Sequence, residues 1–285
     1  MSELTQRVLV ALIGAPIAIG VLWLGDAALI TLVSTLGAVA AWELFRIARE
    51  AGYTPLGPLG IAMAAVLPLV VHAQRLGYVR VPFSALVLVV LAVVAVALFT
   101  RTAAQRPLGA AAVTLFGVAY TSGLLSYAYA LRHFDYVVGA TAGLVLVGFP
   151  LLITWGTDIG AYFVGRAIGG PKLMPSISPG KTRSGALGGL AAALVVAWLY
   201  HRFALVPHAQ LALRPVPLVL VTLALSVAGQ IGDLVESQLK REAGVKDSSH
   251  LLPGHGGVLD RLDSLLVTFP LAWVLLHGLV IPVPR

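Results

Sequence analysis

The sequence contains no cysteine among its 285 residues, which excludes disulfides and thiolate metal sites. Charge is nearly as scarce. Only 11% of residues are Asp, Glu, Lys or Arg, where a soluble domain carries about a quarter. The strict apolar/polar alternation of barrel strands is missing, and so are heptads, internal repeats and low-complexity tracts. What fills the space is apolar: 59% of the chain, with a mean hydropathy of +0.94. These proportions place the chain among integral membrane proteins. The formal charge of +7 does not point to nucleic acid. Its basic residues lie in short loops between apolar runs, which fits membrane topology and anionic lipid.

A membrane-spanning helix needs about 20 predominantly apolar residues. Nine stretches qualify: roughly 8–24, 27–47, 58–73, 81–100, 108–131, 138–165, 184–203, 215–238 and 262–281. In lipid these must be helices, since backbone groups find no other partner. The first follows Arg7 and lacks an A-x-A-like cleavage site, so it reads as a retained span. The expected fold class is all-α, a polytopic bundle of about nine transmembrane helices. About five of these lie in an N-terminal region, 1–135, and about four in a C-terminal region, 136–285. With the N-terminus inside, thirteen of the nineteen Lys and Arg fall on the inner side and six, Arg285 included, on the outer. That excess predicts N-terminus in and C-terminus out, with the long polar loops 166–183 and 239–261 both in the cytoplasm. Small-xxx-small pairs at Gly156/Gly160 and Gly185/Gly189 predict close helix contacts.

Polar chemistry concentrates late in the chain: seven of twelve carboxylates follow residue 157. Asp158, Asp233 and Glu236 fall at the polar ends of apolar helices, where a carboxylate needs a cavity or a partner. In "GQIGDLVESQLKREAGVKD", Asp233, Glu236 and Lys240 share a helix face, with Ser237 and Arg241 beside it. In "PGHGGVLDRLDS", Gly254, Gly256 and Gly257 let backbone N–H groups approach an anion, and His255 offers a donor or proton carrier. Asp260 and Asp263 open the last helix, where the dipole favours negative charge; one of them could equally be a plain N-cap. Asp158, Tyr162 and Arg166 share another helix face, and "SPGKTRSG" places Lys181, Thr182, Arg183 and Ser184 in a turn before the seventh span. That turn resembles a phosphate grip without the glycine spacing of a P-loop. Oxygen ligands without cysteine suit Mg²⁺, which takes one or two carboxylates plus substrate phosphates. The pattern therefore reads as metal-assisted chemistry on a phosphate. Glu43, one turn from Arg46, reads as a local ion pair.

The run "SQLKREAGVKDSSHLLPGHGGVLDRLDS", Ser237 to Ser264, resembles the signature of phosphatidate cytidylyltransferases, or CDP-diacylglycerol synthases: S-x-x-K-R, K-D, P-G-H-G-G and D-R-x-D in that order. "TDIGAYFVGR" and "SPGKT" resemble two preceding blocks of the same family. The likeness covers about 150–264, and the first five spans match in character alone. Two positions depart from it: Gly180 stands where a Lys is often seen and Ser184 where Glu is common. The resemblance implies transfer of the cytidylyl group of CTP to phosphatidate in the cytoplasmic leaflet, giving CDP-diacylglycerol and pyrophosphate for phospholipid synthesis. The implied location is the bacterial inner membrane, with the site on the cytoplasmic side. A homodimer is left open, and nucleic acid is not an expected partner.

On that likeness, Asp233, Asp260, His255 and Lys240 are the expected catalytic residues. Asp233 and Asp260, with Asp263 and Glu236 next, are the expected ligands of Mg²⁺, for which Mn²⁺ can substitute. One Mg²⁺ shared by Asp233 and Asp260 is the expected arrangement. Substrate contacts are expected from Asp158, Lys181, Arg183, Ser237, Arg241, Lys246, Asp247, Gly256, Gly257 and Arg261. One rival is a CTP-dependent kinase of a membrane alcohol such as a polyprenol. The other is a transporter, which would place polar breaks at mid-span in matching halves. The clustering of carboxylates in the C-terminal half argues against the transporter.

Overall fold

In a computed structural model, the structure describes residues 3–252, 254 and 256–283, with side chains from residue 12 onward. Ten α-helices are present among them: α1 (Glu3–Leu24), α2 (Asp26–Glu50), α3 (Gly57–Arg75), α4 (Phe83–Thr100), α5 (Pro107–Val118), α6 (Leu124–Arg132), α7 (Gly139–Ile168), α8 (Arg183–Tyr200), α9 (Pro215–Glu242) and α10 (Leu259–Leu279). A π-type turn joins α5 to α6, and another, His201–Ala209, prolongs α8. Among the described residues, eight helical stretches are long and apolar enough to cross a membrane, and they match the second to ninth expected spans. The first expected span falls in α1, whose apolar part with described side chains, Leu12–Leu24, is shorter than that length. Exposed Leu, Val and Phe side chains cover α4, as a lipid-facing helix requires.

The structure amends the all-α expectation at two points. A hairpin of β1 (Lys172–Met174) and β2 (Ser178–Thr182) occupies the loop after α7, where the sequence suggested a Pro/Gly turn. A second minute sheet pairs β3 (Leu211–Ala212) with β4 (Ile281–Pro282). The eighth span also continues past residue 238 to Glu242, so Asp233 lies inside α9 rather than at its end.

Contacts group the chain into two compact units, each drawn from separated segments. The expected division near residue 135 follows span order, whereas these units follow contacts. The first unit contains Asp26–Ser126, Leu239–Arg261 and the first part of α1. Its core is centred on Phe45 of α2, which is fully buried. A methyl group at Gly60 of α3 or Gly117 of α5 would overlap the Phe45 ring, so both positions need glycine for the three helices to close. The buried Thr114 hydroxyl serves two backbone groups here: Oγ1 donates to Ala110 O at 2.7 Å and accepts from Leu56 N at 2.8 Å.

The second unit contains Tyr127–Gln238, Ala18–Gly25 and α10 from Leu262. Here α7 and α8 pack through the expected glycines. A Cβ at Gly185 would come 2.8 Å from Ala161 O, and one at Gly189 would come 2.9 Å from Thr157 O. Such close approach is how helices associate where burial from water gives no drive. Gly232 of α9 sits against α10 in the same way, 2.6 Å from Asp263 O by the same measure. Hydroxyl pairs at Thr157–Ser226, 2.8 Å, and Thr154–Thr268, 3.3 Å, link the buried faces.

Candidate functional site

The second unit contains a cavity of about 570 Å³ whose lining includes Asp158, Tyr162, Arg166, Lys172, Lys181 and Asp233. Helical spacing on α7 explains the first three, which recur every fourth residue on one face. The Arg166 guanidinium donates to Tyr162 Oη at 2.8 Å. The hairpin supplies the two lysines. Thr182 ends it and caps α8, accepting from Gly185 N at 3.1 Å, and Arg183 N donates to Pro171 O at 2.9 Å. Lys181 is thereby held with Nζ 2.6 Å from Asp233 Oδ2, while Ser237 Oγ donates to Asp233 Oδ1 at 3.3 Å. Arg183 is exposed and lies outside the cavity lining. Glu236 is buried, one turn beyond Asp233. Asp263 accepts from the neighbouring Ser264 N at 2.6 Å.

In the first unit a separate polar cluster forms around Asp260. Lys240 Nζ donates to Asp260 Oδ1 at 2.7 Å, and the two side chains are 12% and 6% exposed. Asp260 Oδ2 accepts from Gly257 N at 2.7 Å, Ser248 Oγ at 2.9 Å and Ser248 N at 3.0 Å. Asp260 is therefore a working ligand of its own loop as well as a first-turn helix charge. Gly256 adopts φ +78°, a left-handed conformation that favours glycine. Gly257 needs to be glycine for a different reason: a Cβ there would overlap Ser248 Oγ and Glu43 Oε1.

Glu43 is the residue that sequence reasoning missed. The expected local pair with Arg46 is not what holds it. The side chain is fully buried and accepts from Ser248, Ser249, Val258 and Leu259, more than 200 residues away. A carboxylate inside "AVAAWELF" was the available signal, because a buried acid needs partners. Among the remaining expected residues, Lys246, Asp247 and Arg261 are exposed, and the Arg241 guanidinium donates to Val245 O at 3.2 Å. His255 lies outside the described residues. Nearby, the Tyr53 hydroxyl donates to Glu242 Oε1 at 3.1 Å, and that bond and the carboxylate's charge raise the phenol above its ordinary pKa.

Asp233 and Asp260 thus belong to different units, and each has a lysine of its own unit as partner. Each carboxylate already attracts a cation, and the donors are hard oxygens, so the chemistry of the set fits Mg²⁺. Among the described residues no three His, Asp or Glu side chains converge on one point. That is compatible with an ion that completes its shell with water and substrate phosphate.

A model of the Cytidylyltransferase family matches residues 5–279. The phosphatidate cytidylyltransferase of Bacillus subtilis (strain 168) is 36% identical over 278 residues, covering 97% of this chain and 98% of that protein. The phosphatidate cytidylyltransferase of Brucella suis biovar 1 (strain 1330) is 34% identical over 276 residues, 96% of this chain and 93% of that protein. The enzyme of the same name from Staphylococcus haemolyticus (strain JCSC1435) is 45% identical over 166 residues, 58% of this chain and 59% of that protein. With a match across almost its full length, the chain belongs to the cytidylyltransferase family.

Proposed function

We propose that this chain transfers the cytidylyl group of CTP to phosphatidate, giving CDP-diacylglycerol and pyrophosphate at the cytoplasmic face of a bacterial plasma membrane. Family membership and the likeness to phosphatidate cytidylyltransferases support this reading. The observation on this chain that carries it is the cavity in which Lys181 pairs with Asp233, with Arg166 and Lys172 also in the lining. Basic groups beside apolar helices suit an anionic headgroup whose acyl chains stay in lipid. Asp158 and Arg183 are assigned to the approach of that headgroup.

The chemistry asks little of the protein beyond placement and charge. A phosphate monoester is largely ionised near neutral pH, so the nucleophile needs no base to take its proton. Its oxygen attacks the α-phosphorus of CTP, the bond from that phosphorus to the bridging oxygen of pyrophosphate breaks, and pyrophosphate leaves. Catalysis then rests on orientation and on cations that meet the negative charge as it shifts. Lys181 would hold one phosphate. Lys240, Arg241 and Lys246 would take the triphosphate and steady the departing pyrophosphate, with Ser237, Asp247, Gly256, Gly257, Arg261 and His255 assigned to substrate contact. Mg²⁺, with Mn²⁺ as substitute, is the assigned cofactor. Asp233 and Asp260 are its assigned ligands, followed by Asp263 and Glu236, and it would screen the phosphates and make the α-phosphorus easier to attack.

Nine spans with the N-terminus inside and the C-terminus outside complete the proposal. The activity test uses CTP labelled at the α- or the γ-phosphorus, with phosphatidate in mixed micelles. Label from the α position should enter lipid and label from the γ position should not. Lipid labelled from the γ position would assign a CTP-dependent kinase instead, and unlabelled lipid in both arms would defeat the proposal.

A further inference from the structure

We propose that Glu43, on α2, is a positioning residue that fixes the loop carrying Ser248 and the start of α10, and through them Asp260. The proposal deepens the reading above and, as regards turnover, rests on it. Glu43 is fully buried, so it is placed to act on the protein and not on a substrate. Its Oε1 accepts from Ser249 Oγ at 2.5 Å and Val258 N at 2.9 Å, and its Oε2 accepts from Leu259 N at 2.6 Å and Ser248 Oγ at 3.1 Å. Three full donors and the Ser248 hydroxyl, which is shared, meet this buried carboxylate, and they are what makes the burial tolerable.

Two of those donors are backbone groups at the N-terminus of α10, where amides have no partner inside the helix. Holding Val258 N and Leu259 N fixes the turn from which Asp260 projects. Ser248 provides the second link, because its Oγ also lies 2.9 Å from Asp260 Oδ2. A hydroxyl has one proton to donate, so it is shared between two carboxylates, while Ser248 N holds Asp260 Oδ2 at 3.0 Å in either case. Gly257 completes the cluster by leaving the space that Glu43 and Ser248 occupy. The consequence for Asp260 is directional. Oδ2 takes the closer loop donors, and Oδ1, which Ser248 N reaches only at 3.3 Å, is presented towards Lys240 at 2.7 Å.

The test compares wild type with Glu43→Gln and Ser248→Ala, in detergent or nanodiscs. Glutamine keeps the shape but places an NH₂ group against two of the four donors. Deuterium uptake should rise at least fivefold in peptides covering 246–264 for Glu43→Gln and stay unchanged in α7 and α8. In turnover assays normalised to the folded fraction, measured by thermal unfolding of the same preparation, kcat should fall at least tenfold while KM for CTP and for phosphatidate stays within about twofold. A deficit that disappears on this normalisation would be loss of folded protein and would overturn the proposal. Where Glu43→Gln fails to insert, Ser248→Ala decides the matter. It retains three donors on Glu43 and removes only the bridge, and kcat should fall at least threefold. Wild-type exchange in 246–264 for Glu43→Gln, or wild-type kcat in either variant, overturns the proposal. An inactive wild type would count against the proposed reaction, and the exchange comparison would still decide whether Glu43 holds the loop.

Discussion

Neutralising Asp260 should injure the protein twice, and the two injuries can be separated. Asp260→Asn removes the charge that faces Lys240 at 2.7 Å. Its amide oxygen can still serve Gly257 N and Ser248 at the Oδ2 position, but its NH₂ then meets the ammonium group. Breaking a buried pair by removing one partner costs about 3–5 kcal/mol. The retained loop bonds put the expected cost near the lower end, about 3 kcal/mol, or a Tm lowered by roughly 6–12 °C for a chain of this size. Lys240→Met removes the other charge. In the double variant neither charge remains, and most of the lost stability should return, a coupling of about 2 kcal/mol or more. Thermal unfolding of the purified single and double variants, followed by tryptophan fluorescence, measures this directly. Turnover of CTP and phosphatidate should be lost in Asp260→Asn and should not return in the double variant. An Asp260→Asn protein that melts with wild type, with additive effects in the double variant, would refute the buried-pair reasoning.

Other perturbations follow from the same geometry. Lys181→Ala should lower kcat/KM for phosphatidate about ten- to a hundred-fold, as expected when a charge-assisted contact of about 1.5–3 kcal/mol is removed; unchanged steady-state kinetics would take Lys181 out of the site. Lys246→Ala should raise KM for CTP about tenfold with membrane insertion intact, by the same magnitude; equal KM values would leave this exposed lysine to topology. Gly257→Ala should cost stability and activity together, because its Cβ would overlap Ser248 and Glu43; a wild-type melting curve would show that the cluster has room. Single cysteines at the exposed Ser176 and His250 should both react with an impermeant maleimide only from the cytoplasmic side, and the absence of native cysteine keeps the assay clean. Labelling of either from outside would reverse the topology.

Those elements that depend on local pattern were legible in the sequence. Apolar length alone placed the spans from 27–47 to 262–281, because a helix is the one structure that satisfies its backbone in lipid. Spacing alone put Asp158, Tyr162 and Arg166 on one face, and the paired glycines of α7 and α8 announced their contact. The hairpin at 172–182 escaped, since three- and five-residue strands rich in Lys, Pro and Gly carry almost no alternation signal. Glu43 escaped for a different reason. Its partners lie more than 200 residues away, and no rule of helical spacing reaches that far. The glycines of "PGHGG" were legible as necessary, yet at Gly257 the necessity comes from Glu43 and Ser248 inside the protein, where the sequence suggested an approaching anion.

The central claim is that an oxygen of phosphatidate attacks the α-phosphorus of CTP. Phosphatidate carrying ¹⁸O at all its non-bridging phosphate oxygens, turned over with unlabelled CTP, tests it in one mass spectrum. The expected CDP-diacylglycerol retains every labelled oxygen, one of them now bridging the two phosphorus atoms, and the pyrophosphate contains none. Loss of one ¹⁸O from the lipid product would mean that the phosphorus of phosphatidate is the atom attacked, and would contradict the mechanism.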